Sequence, residues 1–340
     1  MKLRVIRVDL PLKHVFATSR SSMSVVRTII VELEQDGLRG HSEVCEDPYY
    51  GITVESMSKS IERIRPQLDK YALADPIAFW NYLAPELGKN RFAQAAVDIA
   101  ACDLWGKMKN RPLWKIWGLH PDSVPLSSFG VGMDSVERVN EKLAEYFDWP
   151  IYKVRLGAKD DFSVLKTIRE KNSQAEFHVD VNGAWSTETA LRSLDVLNQL
   201  NVSMIEQPLA PDNWEGMEKL KHKSPIPIIA DESWMGDDDF TQIAEYFDGI
   251  NLKLSKCGGL TPAKRMVIAA KNLGLKIAMG NAVESSVGAC ATSQLAPLLD
   301  YVSLDGPLLI EKKVGTGVNL EQGRVFFSDE AGTGIRVSFR

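Results

Sequence analysis

The sequence predicts an α/β protein, a barrel of alternating strands and helices with an α+β capping domain formed by both chain ends. Three observations carry this. The first 60 residues read as antiparallel β. From residue 125 short apolar runs alternate with helical stretches. Polar or glycine residues recur at a near-constant interval at the ends of those runs.

Leu3 to Leu10 and Val25 to Leu33 alternate or run β-branched, as strands do. Gln35-Asp36-Gly37 supplies a turn before a third strand, Arg39 to Val44. Ala17 to Met23, between the first two strands, is small and polar and reads as a mobile loop. From Val54 to about Lys109 the pattern is helical. Ala95 to Trp105 is rich in small residues at helical spacing, which suits close packing. Asp98 and Asp103 within it read as helix-packing or capping groups.

The apolar runs of the second part are Leu126–Val131, Ile151–Leu156, Phe177–Val181, Ser203–Ile205, Ile226–Ala230, Gly249–Leu254, Leu275–Met279 and Tyr301–Leu304. Lys153, Asp180, Glu206, Asp231, Lys253, Gly280 and Asp305 mark their ends at steps of 22 to 27 residues. One strand, one helix and two loops fill such a step, and seven or eight in a row can close a barrel. An open doubly wound sheet would carry a glycine-rich phosphate turn after an early strand, and none stands there. The tail from Val314 returns to turns and short β runs, expected to pack onto the N-terminal sheet. The expected units are 1–120 for the cap, 121–312 for the barrel and 313–340 for the return.

Composition agrees with an enzyme of ordinary globular make-up. The 340 residues are 44% hydrophobic and 25% charged, with 40 basic against 45 acidic residues and a net charge of −5. Such a balance argues against a nucleic-acid or membrane-surface partner. Cys45, Cys102, Cys257 and Cys290 have no metal or disulfide spacing, and the charged, alternating N-terminus reads as a strand rather than a signal peptide. A cytoplasmic location is expected.

Three consecutive strands end in carboxylates: His178-Val-Asp180-Val-Asn182, Ile205-Glu206-Gln-Pro and Ala230-Asp231-Glu232. Active-site groups of a barrel sit at these ends. Each acid alone could cap its following helix. Together on one rim they repel one another, and a hard cation such as Mg²⁺ is the natural compensation. His178 sits a layer deeper and reads as a core group. Tyr152-Lys153-Val-Arg155 precedes the acids, and Asn251-Leu-Lys253-Leu-Ser-Lys256-Cys-Gly-Gly follows them. Period-two spacing turns Lys153 and Arg155 to one face, and Lys253 inward with Asn251. Lys256 lies past the strand end, where a solvated lysine or a rim contact is expected. Metal held by acids and facing lysines suits abstraction of a proton next to a carboxylate, through an enediolate.

With these residues the chain resembles the enolase superfamily, specifically its muconate-lactonizing-enzyme subgroup, over nearly its whole length. The Asp98-Ile-Ala-Ala-Cys-Asp-Leu-Trp-Gly-Lys107 helix, the three acidic strand ends, the Asn251–Gly259 run and the closing Gly315-Thr-Gly and Gly332-Thr-Gly-Ile-Arg-Val stretches carry the resemblance. It implies a (β/α)7β-type TIM barrel with a capping domain. It implies Asp180, Glu206 and Asp231 as ligands of Mg²⁺, with Mn²⁺ as a substitute, and Lys253 as acid/base on one face of the substrate. The family's Lys-x-Lys reads Lys153-Val-Arg155 here. Lys153 would bind the substrate carboxylate, while arginine, effectively always protonated, is a poor opposite-face base. Ala278-Met-Gly-Asn281 holds no histidine, which speaks against the mandelate-racemase and sugar-acid-dehydratase branches.

Ser303-Leu-Asp305 looks like the Asp-x-Asp by which dipeptide epimerases bind a substrate ammonium, with serine in the first place. Arg20 could reach over the barrel mouth to a second anionic group. Trp185, Trp214 and Trp234 follow three of the strands and could wall the pocket or pack the rim. The first reading is an epimerase of dipeptides or acyl amino acids, a small-molecule carboxylate substrate, in a homo-oligomer. The alternatives are a one-base lyase or cycloisomerase, such as o-succinylbenzoate synthase or muconate cycloisomerase, and a silent metal-binding protein.

Overall fold

Alternating apolar residues build an antiparallel sheet from β1 (Lys2–Ala17), β2 (Ser22–Gln35) and β3 (Leu38–Cys45) in a computed structural model that describes residues 1–157, 162–236, 240–280 and 282–338. Asp36 and Gly37 both take positive φ, at 52° and 80°, which gives the β2–β3 hairpin a turn whose twist matches its strands. One face of the sheet, with Ile29, Val31 and Leu33 fully buried, lies on the helix Arg91–Met108. That helix can come so close because of Gly40, where a Cβ would stand 2.1 Å from the carbonyl oxygen of Ala100. The alanine-rich stretch expected to pack closely does so here.

The eight apolar runs become eight parallel strands among the described residues: β4 (Phe129–Val131), β5 (Ile151–Arg155), β6 (Glu176–Asp180), β7 (Val202–Glu206), β8 (Ile228–Ala230), β9 (Gly249–Asn251), β10 (Lys276–Gly280) and β11 (Tyr301–Ser303). They pair in sequence order. Ser127 bridges Val302, and the Ser128 N–H donates to the Val302 carbonyl at 2.9 Å, so the first strand meets the last. The register puts Arg155 level with Asp180, and Asp180 level with Glu206. β9 stops at Asn251, so Lys253 lies beyond the strand, although its backbone stays extended at φ −117° and ψ 129°. Asn281 lies outside the described residues.

The loop expected to be mobile shrinks to residues 18–21, because β1 and β2 pair out to Ala17 and Ser22. It is tied to the barrel. The Met133 N–H donates to the Ala17 carbonyl at 2.8 Å, and the Ser19 hydroxyl to that of Val181 at 3.3 Å. Gly132 allows this approach, since a Cβ there would meet Ala17 backbone at 3.0 Å.

Both aspartates of the Arg91–Met108 helix accept from backbone N–H groups outside it. Asp103 accepts from the backbone N–H of His41 and of Thr333, joining β3 to the C-terminal tail. Within that tail, Gly315–Thr316 pairs with Arg336–Val337, and Val314 and Ile335 pack with Leu10, Leu12 and Val26 of the sheet. No helix of the described residues is long and apolar enough to cross a membrane.

Asp98 accepts from the Thr261 N–H at 2.9 Å, at the start of the helix Leu260–Asn272 that follows the Lys253 loop. Burial raises its carboxyl from an ordinary 3.8 to about 7, and Oδ1 has no partner. A folded-state value above the unfolded one means that the protonated acid stabilises the fold. That contribution is full below about pH 4 and lost as the pH climbs through 7. Asp98→Asn stays neutral, so its unfolding free energy relative to wild type should rise between pH 5 and 8. A constant difference in urea titrations across that range would show that Asp98 is charged throughout.

Candidate active site

The C-terminal strand ends open toward the cap, and a cavity of about 410 Å³ lies between them. The barrel contributes Lys153, Arg155, Asn182, Glu232, Lys253, Ser303 and Asp305 to its wall. The cap contributes Arg20 and the segment from Cys45 to Tyr50. At the base, Asp180, Glu206 and Asp231 are fully buried.

Each of these acids meets a cation. Lys153 Nζ donates to Glu206 Oε2 at 2.6 Å and lies 3.5 Å from Asp180 Oδ2. Arg155 Nη1 pairs with the same Asp180 oxygen. Asn251 Nδ2 donates to the other oxygen of Glu206 at 2.7 Å. Lys253 Nζ donates to Asp231 Oδ2 and Lys256 Nζ to Oδ1, both at 2.7 Å. Burial pushes the Asp231 carboxyl up, but the two lysines outweigh it and hold the group far below the carboxylate range. Burial likewise pulls Lys253 down, while Asp231 and Glu232 hold it above the ordinary lysine range. Lys153 goes the other way: burial lowers it, with Arg155 adding to the effect, and Glu206 offsets only part.

Strand arithmetic explains the opposition. β5 and β9 are four apart in a ring of eight, so Lys153 and Arg155 face Lys253 across the barrel. On the third side, Asp305 follows β11; its Oδ2 accepts the Gly130 N–H at 2.7 Å, and burial raises its carboxyl. The Ser303 hydroxyl lies 2.6 Å from that of Ser128.

Arg20 does reach over the barrel mouth, but it pairs there with Glu232 and lies 4.1 Å over the Tyr49 ring. Lys256 corrects the expectation of a solvated or rim lysine. The short helix Leu254–Cys257 folds it back, so that it is 1% exposed beneath Asp231. Its apolar flanks, Leu254 and Cys257, were the available signal. Glu232 and Asn182 also line the mouth, and only their position one and two residues beyond an acidic strand end pointed to them. The three tryptophans pack the rim: Trp185 and Trp234 are buried, Trp214 meets Tyr246 edge-on, and none lines the cavity. His178 is buried below the acids, edge-on to Tyr301.

The donor set fits a hard divalent ion. Its three carboxylates contain no thiol or imidazole, and Asp180 Oδ2, Asn182 Oδ1 and Glu232 Oε2 are buried without a directed hydrogen bond. With the cations in place, no cluster of three His, Cys, Asp or Glu side chains among the described residues is drawn together around a common point.

Comparison with known proteins follows this geometry. Residues 1–118 match the mandelate racemase / muconate lactonizing enzyme N-terminal domain, and residues 134–340 the enolase C-terminal domain-like family. An L-Ala-D/L-amino acid epimerase of Maribacter sp. is 40% identical over 339 residues, 99% of this chain and 100% of the relative. An L-Ala-D/L-Glu epimerase of Bacteroides thetaiotaomicron is 34% identical, over 98% of this chain and 88% of its own. Among solved structures, a dipeptide epimerase from Methylococcus capsulatus complexed with Mg and L-Arg-D-Lys superposes with a TM-score of 0.89. It is 27% identical and 99% of each chain is covered.

The two lysines on Asp231 differ in burial, which separates their contributions to stability. Lys256→Met leaves a buried carboxylate half-paired and should cost about 3 kcal/mol. Lys253 pairs with the same buried carboxylate, but its side chain is 23% exposed toward the cavity, where water can take its place, so its replacement by Met should cost less than that of Lys256. Urea unfolding of the metal-free protein measures both, and equal losses would contradict the assignment of Lys256 as the structural partner.

Proposed function

Because the chain belongs to the mandelate racemase / muconate lactonizing enzyme family of the enolase superfamily, we propose that it is an isomerase that epimerises dipeptides at the α-carbon beside the free carboxylate. The observation that carries this is the opposition of Lys253 to Lys153 and Arg155 across three buried acids, with Asp305 to one side. The names of the relatives point to the same chemistry.

In this reading Lys153 and Arg155 attract the substrate carboxylate, and Asp305 with Ser303 receives the ammonium. Lys253 takes or returns the α-proton on one face. A lysine held above its ordinary range keeps its proton and has no free amine with which to take another, and Asp231 is what holds Lys253 there. Lys253 therefore becomes competent when the charge of Asp231 is engaged elsewhere. A divalent ion, Mg²⁺ or Mn²⁺, held by Asp180, Glu206 and Asp231 would supply positive charge to counter those acids and the negative charge that develops on the carboxylate oxygens.

The opposite face belongs to Arg155. A guanidinium gives up its proton only at large cost, so exchange on that face is the slower of the two. Its pairing with Asp180 also favours the one-base alternative, in which that face exchanges nothing. Both are tested in D₂O with Mg²⁺, using the two diastereomers of a dipeptide. The isomer presenting its α-hydrogen to Lys253 should exchange at least tenfold faster than the other, and Arg155→Lys should narrow the gap. Lys253→Ala should stop exchange from its own face, and EDTA should stop both. Equal exchange of the two isomers in the wild type would show that Arg155 is a full base, and activity in excess EDTA would remove the metal from the reading.

A further inference from the structure

In that reading three substituents of the reacting carbon are directed to barrel groups: the carboxylate toward β5, the amide nitrogen toward the side of Asp305, which receives the ammonium of the preceding residue, and the hydrogen toward Lys253 or its opposite. The fourth substituent of a tetrahedral carbon, the side chain, is then directed away from the barrel and toward the cap. What the cap presents there decides which amino acids are accepted.

The cap presents an apolar wall. Phe16, Met23 and Val26 of β1 and β2 line the cavity, together with Val283 and Leu309 from the loops after β10 and β11. Phe16, Met23 and Val283 pack on the core cluster of Leu10, Leu12, Val26 and Ile310 that joins the sheet to the barrel. The wall is thus the cavity-facing side of a packed core. Phe16 lies against β4, where a Cβ on Gly130 would meet its ring at 3.6 Å.

The charged groups that the cap adds are engaged within the protein. Arg20 is matched by Glu232 and covered by Tyr49. Asp47 Oδ1 accepts the Tyr49 N–H at 3.0 Å, and Glu46 Oε2 the Val54 N–H at 3.4 Å. An anionic side chain entering this space would lose water and have to break the Arg20–Glu232 pair, and a cationic one would lose water and have to share Asp47 or Glu46 with the backbone N–H that each already holds.

Resting on the proposed epimerase reading, we infer that the residue epimerised carries an uncharged, apolar side chain, received by the Phe16–Met23–Val26–Val283–Leu309 wall, with Arg20 withheld from substrate by Glu232. Specificity then comes from burial of hydrocarbon against this wall and from exclusion of charge, and Arg20 contributes to it by being neutralised.

The test is deuterium incorporation by the wild-type protein with Mg²⁺ on L-Ala-L-Leu, L-Ala-L-Glu and L-Ala-L-Lys, compared as kcat/KM. The leucine dipeptide should exceed each charged one at least tenfold, about 1.4 kcal/mol in the transition state. A smaller margin over either overturns the inference. Arg20→Met should leave the Leu:Glu ratio within about threefold of wild type, whereas a larger rise would mean that Arg20 reads the substrate carboxylate. Met23→Arg should shift the ratio at least tenfold toward glutamate, with Val283→Lys in its place if circular dichroism shows Met23→Arg to be unfolded. No shift would mean that the side chain lies elsewhere. Exchange with none of the three dipeptides would overturn the epimerase reading itself, and this inference with it; exchange with the wrong preference overturns this inference alone.

Discussion

Three carboxylates on neighbouring strand ends cannot share a water-poor barrel mouth unless positive charge stands among them. The rest of the site follows from this constraint. Asp180, Glu206 and Asp231 are each fully buried, and each is met by Lys153, Arg155, Lys253 or Lys256. The penalty for burying an unpaired carboxylate is several kcal/mol, so the pattern of acids dictates the pattern of bases. Asp231 shows this most clearly, since two lysines and the buried Gln207, whose Oε1 accepts the Asp231 N–H at 3.0 Å, converge on it. Gln207 does this from a left-handed backbone at φ 37°, so the turn after β7 is bent to serve the strand beside it.

The cap depends on the same rim through contacts that are polar and buried. Glu43 of β3 accepts from the backbone N–H groups of Ser285 and Gly288, capping the helix Ser286–Ser293 of the barrel. Asp98 does the same for the helix that follows the Lys253 loop. In both cases a side chain of the N-terminal unit satisfies orphan donors of a barrel helix, so neither unit completes its hydrogen bonds alone. The consequence is positional. The strands that carry Phe16, Met23 and Val26 are set against the barrel by buried contacts and not by surface pairs, which explains how a loop as short as residues 18–21 can hold Arg20 over the mouth.

The barrel was legible in the sequence because its signal repeats. Eight apolar runs with polar ends at regular steps leave few architectures open, and the acids at three of those ends mark the rim whatever the boundaries of each strand. Arg155 was legible for a different reason, as a departure from a two-lysine pattern. The features that escaped depend on returns of the chain that no local pattern encodes. Lys256 reads as a loop residue until the Leu254–Cys257 turn folds it under Asp231. Ala17 to Met23 reads as mobile until strand pairing takes in both of its ends. Arg20 reads as a free cation because its partner, Glu232, lies 212 residues away.

Resting charge pairs and reactivity pull in opposite directions at this site. The contacts that allow the acids to be buried also keep Lys253 protonated, with no free amine to accept the substrate's proton. A site that kept them unchanged would be stable and unreactive. Reaction requires that positive charge be added at the acids and negative charge, the substrate carboxylate, at the cations, so that the pairs are exchanged and not merely broken. Lys256 is buried beneath Asp231 and remains to anchor it through that exchange, while Lys253, partly exposed and facing the cavity, is the one that can let go. The division between an anchoring and a releasable lysine on one carboxylate is what lets a buried acidic rim be both a structural element and a reactive one.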